Sequence, residues 1–216
     1  MTGDRTILSD DNTDEAKGYI SPVGIDIEPD GRLVVVDIIL EAVIRVNQED
    51  GTFMVISDAG LGLGAPFSSP SDIVVEASKD LVVMNGGVSA LVRVDHTTCD
   101  RTIISDASTG TGPNFIVPFG IGIESDGNIL VTDFGLEGIF RVDPVTGDRA
   151  ILSNASTGSG PVFVSPFFVT AEPDGNLLVV DQGLDAVIRV DPVTGDRTIL
   201  SAPSTGSGPS LDVSYG

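Results

Sequence analysis

The chain has 216 residues, and 32 acidic against 11 basic side chains give it a formal net charge of -21. A field of that sign repels phosphate backbones and anionic headgroups, so we expect no nucleic-acid partner. Hydrophobic residues make up 41% of the chain, too many for a disordered acidic tail, and no apolar stretch is long enough for membrane insertion.

The N-terminal part, residues 1–21, contains a partial copy of a sequence that returns near the C-terminus. Residues 2–9 read Thr-Gly-Asp-Arg-Thr-Ile-Leu-Ser, and the same eight letters recur at residues 194–201. The later copy covers the last strand of a longer repeat. We therefore expect residues 2–9 to supply one extra outer strand ahead of the first complete repeat.

Four complete repeats follow the partial one. Their starts are marked by prolines spaced by 48 residues, at Pro22, Pro70, Pro118 and Pro166. Glutamates recur in the same register, at Glu28, Glu76, Glu124 and Glu172. The period predicts four structural units, at residues 22–69, 70–117, 118–165 and 166–216.

The third repeat predicts four short strands, which we call a to d in chain order. Asp126 and Gly127 suit the a–b hairpin, because glycine readily adopts the positive φ that the turn requires. Pro144 and Gly147 suit the c–d turn, with proline fixing φ early and glycine late. The strands are predicted at residues 120–124, 129–132, 139–143 and 149–153.

Four strands in 48 residues are typical of one blade of a β-propeller. The repeats are rich in Val, Ile, Thr, Gly and Pro, and none keeps a 3.6-residue apolar period over three turns, which disfavours a helical array. A parallel β-helix usually has shorter coils. We predict an all-β fold, a β-propeller built from four 48-residue four-stranded blades plus one extra N-terminal strand.

The a–b–c segment of each repeat resembles the NHL repeat. Residues 118–133 read Pro-Phe-Gly-Ile-Gly-Ile-Glu-Ser-Asp-Gly-Asn-Ile-Leu-Val-Thr-Asp, and Arg141 follows in strand c. The second repeat departs from this pattern at Asn85 and at residues 78–80. Six-bladed propellers such as gluconolactonases and streptogramin lyases resemble these repeats to the same extent. The resemblance implies a propeller fold without selecting one chemistry.

An oxygen-bearing side chain ends strand b in every repeat. These candidate metal ligands are Asp37, Asn85, Asp133 and Asp181. Calcium binds carboxylate and amide oxygens, so a calcium site is one interpretation of the four positions. The sequence suggests no other cofactor.

The second interpretation gives these side chains a structural function. An arginine lies eight residues after each of them in strand c, and in a tight b–c hairpin we expect Asp181 and Arg189 to share charge-assisted hydrogen bonds. We favour this interpretation over the metal site. The predicted structural ion pairs involve Arg45, Arg93, Arg141 and Arg189.

Catalytic residue types are scarce. The chain has one histidine, His96, and one cysteine, Cys99, and both lie in a c–d turn, away from the expected channel mouth. Lyases and lactonases of the similar propellers use histidine bases, which puts those activities in doubt. We therefore expect a non-enzymatic structural or interaction module, with a calcium-dependent lactonase-like hydrolase as the alternative.

Strand d is present five times, whereas strands a, b and c are present four times. The surplus copy has three interpretations: the chain is part of a longer array, the N-terminal copy completes the last blade and leaves the C-terminal copy as a tail, or the spare strand pairs with a neighbouring molecule. On the third interpretation we expect self-association or another protein as the partner. The residues predicted for strand exchange are Arg5, Ile7, Leu8, Arg197, Ile199 and Leu200. The acidity and the two lysines favour an extracellular or cell-surface location, although the N-terminal residues show no signal-peptide pattern.

Overall fold

The computed structural model describes residues 6–9 and 19–206 of the chain. In this part, sixteen strands form four antiparallel sheets of four strands each, the blades of a β-propeller. Each blade contains four consecutive strands, paired in chain order. The predicted all-β propeller with four four-stranded blades is confirmed.

The first two blades follow the repeats that begin at Pro22 and Pro70. Blade 1 contains β1 (Pro22–Ile27), β2 (Leu33–Asp37), β3 (Ala42–Val46) and β4 (Phe53–Ser57). Blade 2 contains β5 (Pro70–Val75), β6 (Leu81–Asn85), β7 (Ala90–Val94) and β8 (Arg101–Ser105).

The last two blades follow the repeats that begin at Pro118 and Pro166. Blade 3 contains β9 (Pro118–Ile123), β10 (Ile129–Asp133), β11 (Gly138–Val142) and β12 (Arg149–Ser153). Blade 4 contains β13 (Pro166–Ala171), β14 (Leu177–Asp181), β15 (Ala186–Val190) and β16 (Arg197–Ser201). The predicted strands of the third repeat agree with these bounds to within two residues.

The sequence of blade 3 explains its local structure. All five residues of β10 are buried, as expected for an apolar run packed on both faces. Gly127 has φ +91° in the a–b hairpin, where its N–H donates to the carbonyl of Glu124 at 2.9 Å. Gly147 has φ +75° at the end of the c–d turn. Both glycines therefore hold the left-handed conformation that the turns require.

The chain divides into two compact units, Met1–Gly87 with Arg93–Thr102, and Val88–Val92 with Ile103–Gly216. In the first unit, β5 packs against β1 and β2. In the second unit, β13 packs against β9 and β10. The core of blade 1 includes Val35, Ile44, Val46 and Phe53. The core around blade 4 includes Leu130, Phe163, Val169, Leu177, Val179 and Ile188.

The two copies of strand d differ in structure. β16 pairs with β15 at the edge of blade 4, whereas residues 6–9, the described part of the N-terminal copy, belong to no strand. The extra N-terminal strand stays a prediction for the rest of that copy, which lies outside the described residues. A short c–d turn joins β15 to β16, so this pairing closes a small loop at low entropic cost. Arg5 lies outside the described residues. Exchange of this strand between molecules stays a prediction.

Helical structure is limited to two short 3-10 turns in the described ranges, Gly86–Val88 and Gln182–Leu184. Among the residues that the structure describes, no helix has the length and apolar character needed to cross a membrane.

Candidate functional site

The carboxylate of Asp133 is buried at the end of β10 and accepts three backbone hydrogen bonds. Its Oδ2 accepts from the N–H of Ile116 at 2.7 Å. Its Oδ1 accepts from the N–H groups of Val117 and Leu136, both at 3.0 Å. The side chain thus joins the connection that enters the blade to the b–c loop of the same blade.

The equivalent side chains of the other blades are also fully buried and bound to backbone. Asp37 accepts from four backbone N–H groups and Asp181 from three. Asn85 accepts from the N–H of Ser68 at 2.6 Å and donates from Nδ2 to the carbonyl of Pro66.

These contacts bear on the calcium interpretation. A calcium ion needs oxygen lone pairs directed into open space, but the oxygens of Asp37, Asp133 and Asp181 are directed at N–H donors. The donor set therefore fits calcium poorly and suits the structural function that each side chain has in its own blade. Calcium binding by the four positions stays a prediction that titration can test.

The strand-c arginines form ion pairs with the repeated glutamates. Arg189 donates from Nε and Nη2 to the two carboxylate oxygens of Glu172, at 2.6 and 2.8 Å. Hydrogen bonding to Glu172 raises the pKa of Arg189 above its ordinary value. The other three blades repeat this bidentate pair, as Arg45–Glu28, Arg93–Glu76 and Arg141–Glu124.

The expected pairing of these arginines with the strand-b aspartates is wrong, and the strand register explains the error. Arg189 lies opposite Leu178, whereas Asp181 lies opposite Ala186. Asp181 is therefore three residues further along β14 than Leu178, the residue opposite Arg189, a distance of about 10 Å along the strand. The charges of Asp181 and Arg189 are therefore held at different levels of the blade.

A second set of arginines, Arg101, Arg149 and Arg197, begins strand d in blades 2, 3 and 4. The sequence analysis gave a function only to Arg197, as a residue of strand exchange. Arg149 is 5% exposed, and its Nη1 donates to Ser105 Oγ at 2.6 Å and to the carbonyls of Asp106 and Thr109 at 2.7 and 3.0 Å. Its Nε donates to the carbonyl of Pro113 at 2.8 Å. One guanidinium therefore holds most of the glycine-rich d–a connection in place.

Arg101 and Arg197 repeat this contact with Ser57 and Ser153, each at 2.6 Å. Burial lowers the pKa of Arg197 below its ordinary value. Each guanidinium of the set lies 5.4 Å from the centre of a phenylalanine ring, a cation–π distance. The recurring Asp-Arg at the start of strand d was the available sequence signal, but it does not reveal which loop the arginine binds.

His96 lies in the c–d turn of blade 2, as predicted, and contacts Asp80. Its Nδ1 is 2.8 Å from Asp80 Oδ1, which also accepts the backbone N–H of His96. Burial opposes ionisation of Asp80, but hydrogen bonds from His96 and Ser78 hold the pKa of this carboxyl below its usual value. Asp95 lies near the pair, His96 is exposed, and the two carboxylates are partly exposed. Accessible acidic groups of this kind do not by themselves form a binding site.

Blades 3 and 4 carry an aromatic cluster at the side of the sheets where strand b ends, which we call the loop side. Phe119 lies 4.1 Å from Phe167 and 5.6 Å from Phe134 between ring centres. All three rings are partly exposed. Ile116 and Val164, exposed at 57% and 47%, lie on the same side. These five side chains form what we call the aromatic patch.

The aromatic patch breaks the symmetry of the repeats. The first blade has Val23 and the second blade has Ser71 where Phe119 and Phe167 lie in the later blades. Phe134 directly follows the buried Asp133, so its ring is placed at the b–c loop. Sequence reasoning missed the patch because each phenylalanine alone looks like a core residue.

No family model matches the sequence, and no curated protein matches it. Solved structures do match the fold. A virginiamycin B lyase from Staphylococcus aureus is 20% identical, with a TM-score of 0.63 over 88% of this chain and 58% of that chain. The chain shares the propeller fold of streptogramin B lyase and gluconolactonase-like proteins. It spans a little over half the length of the lyase chains.

Two further neighbours share the fold. A gluconolactonase from Xanthomonas campestris is 16% identical, with a TM-score of 0.63 over 82% of this chain and 61% of that chain. A chain of a nidogen/laminin complex is 17% identical, with a TM-score of 0.56 over 87% of this chain and 84% of that chain. At these identities the likeness concerns the fold alone.

Proposed function

We propose that the chain is a non-enzymatic interaction module, with the aromatic patch as the surface that meets an apolar segment of a partner protein. The observation that carries the proposal is that Ile116 and Val164 are exposed on the loop side, where three phenylalanine rings in contact with one another are also partly exposed. Removing apolar surface from water lowers the free energy, and contiguous exposed apolar patches mark interaction sites.

Two comparisons support the non-enzymatic interpretation. A neighbour in fold comes from a complex of nidogen with laminin, which is an assembly of proteins. A histidine-to-alanine variant of the Staphylococcus aureus lyase is catalytically inactive, whereas the one histidine of this chain, His96, lies in a c–d turn bonded to Asp80. The acidic composition suits a module that works outside the cell or on its surface.

Binding of the neutral apolar dye Nile red to the full chain tests the patch. We expect Phe134→Ser with Ile116→Ser to weaken dye affinity at least tenfold, because both side chains contribute apolar surface. The matched control is Val145→Ser with Val193→Ser, two valines that are 90% exposed at c–d turns. Equal affinities for the chain and the patch variant would overturn the proposal.

The alternative is a calcium-dependent lactonase-like hydrolase, supported by the likeness in fold to gluconolactonases. Calorimetric titration with calcium, followed by an assay with a sugar lactone, separates the two functions. The interaction module predicts no heat at millimolar calcium and no change in Tm. Saturable calcium binding together with lactone hydrolysis would replace the interaction module by the hydrolase.

A further inference from the structure

Two apolar sheet faces are exposed at opposite ends of the order of blades. In blade 1, Ile25 and Ile27 are 61% and 58% exposed. These two residues and Leu33, which lies opposite Ile27, define what we call the leading face. In blade 4, Val180 and Leu200 are 46% and 37% exposed, and these two residues define what we call the trailing face.

Equivalent positions in other blades are buried. Ile73 lies one repeat after Ile25 and is 1% exposed. Thr132 lies one repeat before Val180 and is 0% exposed, and Leu152 lies one repeat before Leu200 and is 6% exposed. The leading face of blade 1 and the trailing face of blade 4 are therefore exposed at positions where the neighbouring blades are buried.

The first unit shows what buries these positions. β5 of blade 2 packs against β1 and β2 of blade 1, and Asp26 Oδ2 accepts from the N–H of Val75 at 2.7 Å. Val36 of blade 1 has the position of Val180 in blade 4 and is 0% exposed, and Ile73 of blade 2 has the position of Ile25 in blade 1 and is 1% exposed. We use leading and trailing for the same two sides of every blade. The trailing side of blade 1 is thus covered by the leading side of blade 2.

The second unit repeats this packing. β13 of blade 4 packs against β9 and β10 of blade 3. Thr132 Oγ1 donates to the carbonyl of Phe167 at 2.8 Å, and Ser153 Oγ donates to the carbonyl of Gly195 at 2.7 Å. The same pair of sides is therefore complementary in both units, with different side chains in each.

We propose that the trailing face of one copy of this chain packs against the leading face of a second copy. The contact continues the blade-on-blade packing from one molecule into the next, so it is a head-to-tail contact between unlike surfaces. Two copies together supply eight blades, within the range of about four to eight blades that closed propellers use. This inference concerns surfaces separate from the aromatic patch and goes beyond the proposed function.

The leading face has room for the side chains of a partner. A cavity of about 380 Å³ lies there, lined by Ile7, Leu8, Tyr19 and Ile25 among others. Phe53 takes the position that Arg101 has one repeat later, and its ring lies 5.0 Å from Tyr19. The proposed contact between copies therefore depends on apolar packing, because blade 1 has a phenylalanine where blade 2 has the arginine that binds the d–a connection.

Sedimentation velocity of the full chain, over about 1 to 100 µM, tests the proposal. We expect a mass of two or more copies, and a shift to one copy for Ile25→Asp and for Val180→Asp. Ile25 and Val180 are 61% and 46% exposed, so we expect the substitutions to leave the fold intact, which circular dichroism checks. Val145→Asp with Val193→Asp adds charge at exposed turns and is expected to leave the mass unchanged.

Mixing the two variants tests the head-to-tail geometry. Ile25→Asp keeps its trailing face and Val180→Asp keeps its leading face, so the mixture is expected to form a one-to-one pair that neither variant forms alone. A wild-type chain that is monomeric up to 100 µM would overturn the proposal. Association that survives both substitutions, or that the turn control abolishes, would also overturn it.

Discussion

Arg149 donates a hydrogen bond from Nη1 to the Oγ of Ser105, 2.6 Å away, and both side chains are buried. The serine ends one strand d and the arginine begins the next, so the contact joins consecutive copies of the repeat. Ser105 Oγ in turn donates to the carbonyl of Gly147 at 2.7 Å. The connection between the blades is therefore held by polar contacts as well as by apolar packing.

Loss of this guanidinium is expected to destabilise the fold. Arg149→Met keeps the apolar stem but removes the guanidinium that donates to the carbonyls of Asp106, Thr109 and Pro113, at a cost of about 2 to 4 kcal/mol. Tm should fall by roughly 5 to 15 °C in a calorimetric scan. Arg32→Met is the control, because Arg32 is 47% exposed. Equal effects of the two substitutions would contradict the assigned function of Arg149.

The strand-b aspartate has a similar structural function. Asp133→Ala removes the acceptor of the backbone N–H groups of Ile116, Val117 and Leu136, and we expect a loss of about 2 to 3 kcal/mol in the free energy of unfolding. Urea denaturation measures the loss, with and without 5 mM calcium chloride. Stabilisation of the wild-type chain by calcium that disappears in Asp133→Ala would instead favour the metal interpretation.

Acid is expected to destabilise the c–d turns. The backbone N–H groups of Thr146 and Val145 donate to Asp143 and hold the pKa of its carboxyl below the usual value. The unfolded chain therefore binds the proton more readily, so the stability contributed by Asp143 is present above the unfolded pKa of about 3.9 and is lost as the pH falls through the lower folded pKa. Tm should be steady from about pH 7 to 5 and fall below about pH 4.

Asparagine substitution tests this assignment. Blade 1 has Asn47 at the position of Asp143 and Asp191, and Asn47 accepts the N–H of Glu49 in the same way. The double variant Asp143→Asn with Asp191→Asn should therefore stay folded at pH 7 and lose less Tm between about pH 5 and pH 3 than the wild-type chain. An unchanged acid slope would show that other carboxyls dominate the acid response.

The repeat made the fold predictable from the sequence, because each turn is specified by residues close together in the chain. The Asp-Gly pair at residues 126–127 and the proline and glycine of the c–d turn place strands b, c and d within one residue of their observed bounds. The aromatic patch was not predictable in this way, because it depends on contacts between residues of different repeats.

The arginine contacts show where sequence reasoning failed. Spacing alone suggested that Asp181 meets Arg189, but the pairing of β14 with β15 separates them and brings Glu172 to the arginine instead. Arg197 reaches back to Ser153 and to a loop some forty residues earlier in the chain, a contact that no local pattern encodes. Strand register and loop path are therefore the quantities that the sequence left undetermined.

Two glycines with the same backbone conformation are expected to respond differently to alanine. Gly127 has φ +91° and open space around it, so Gly127→Ala should cost only the backbone strain, about 1 kcal/mol. Gly110 has φ +77°, and a Cβ there would lie 1.9 Å from the carbonyl oxygen of Gly147, so Gly110→Ala must also displace backbone. Urea denaturation should show the larger loss for Gly110→Ala. Equal losses would show that the d–a connection moves freely away from the c–d turn.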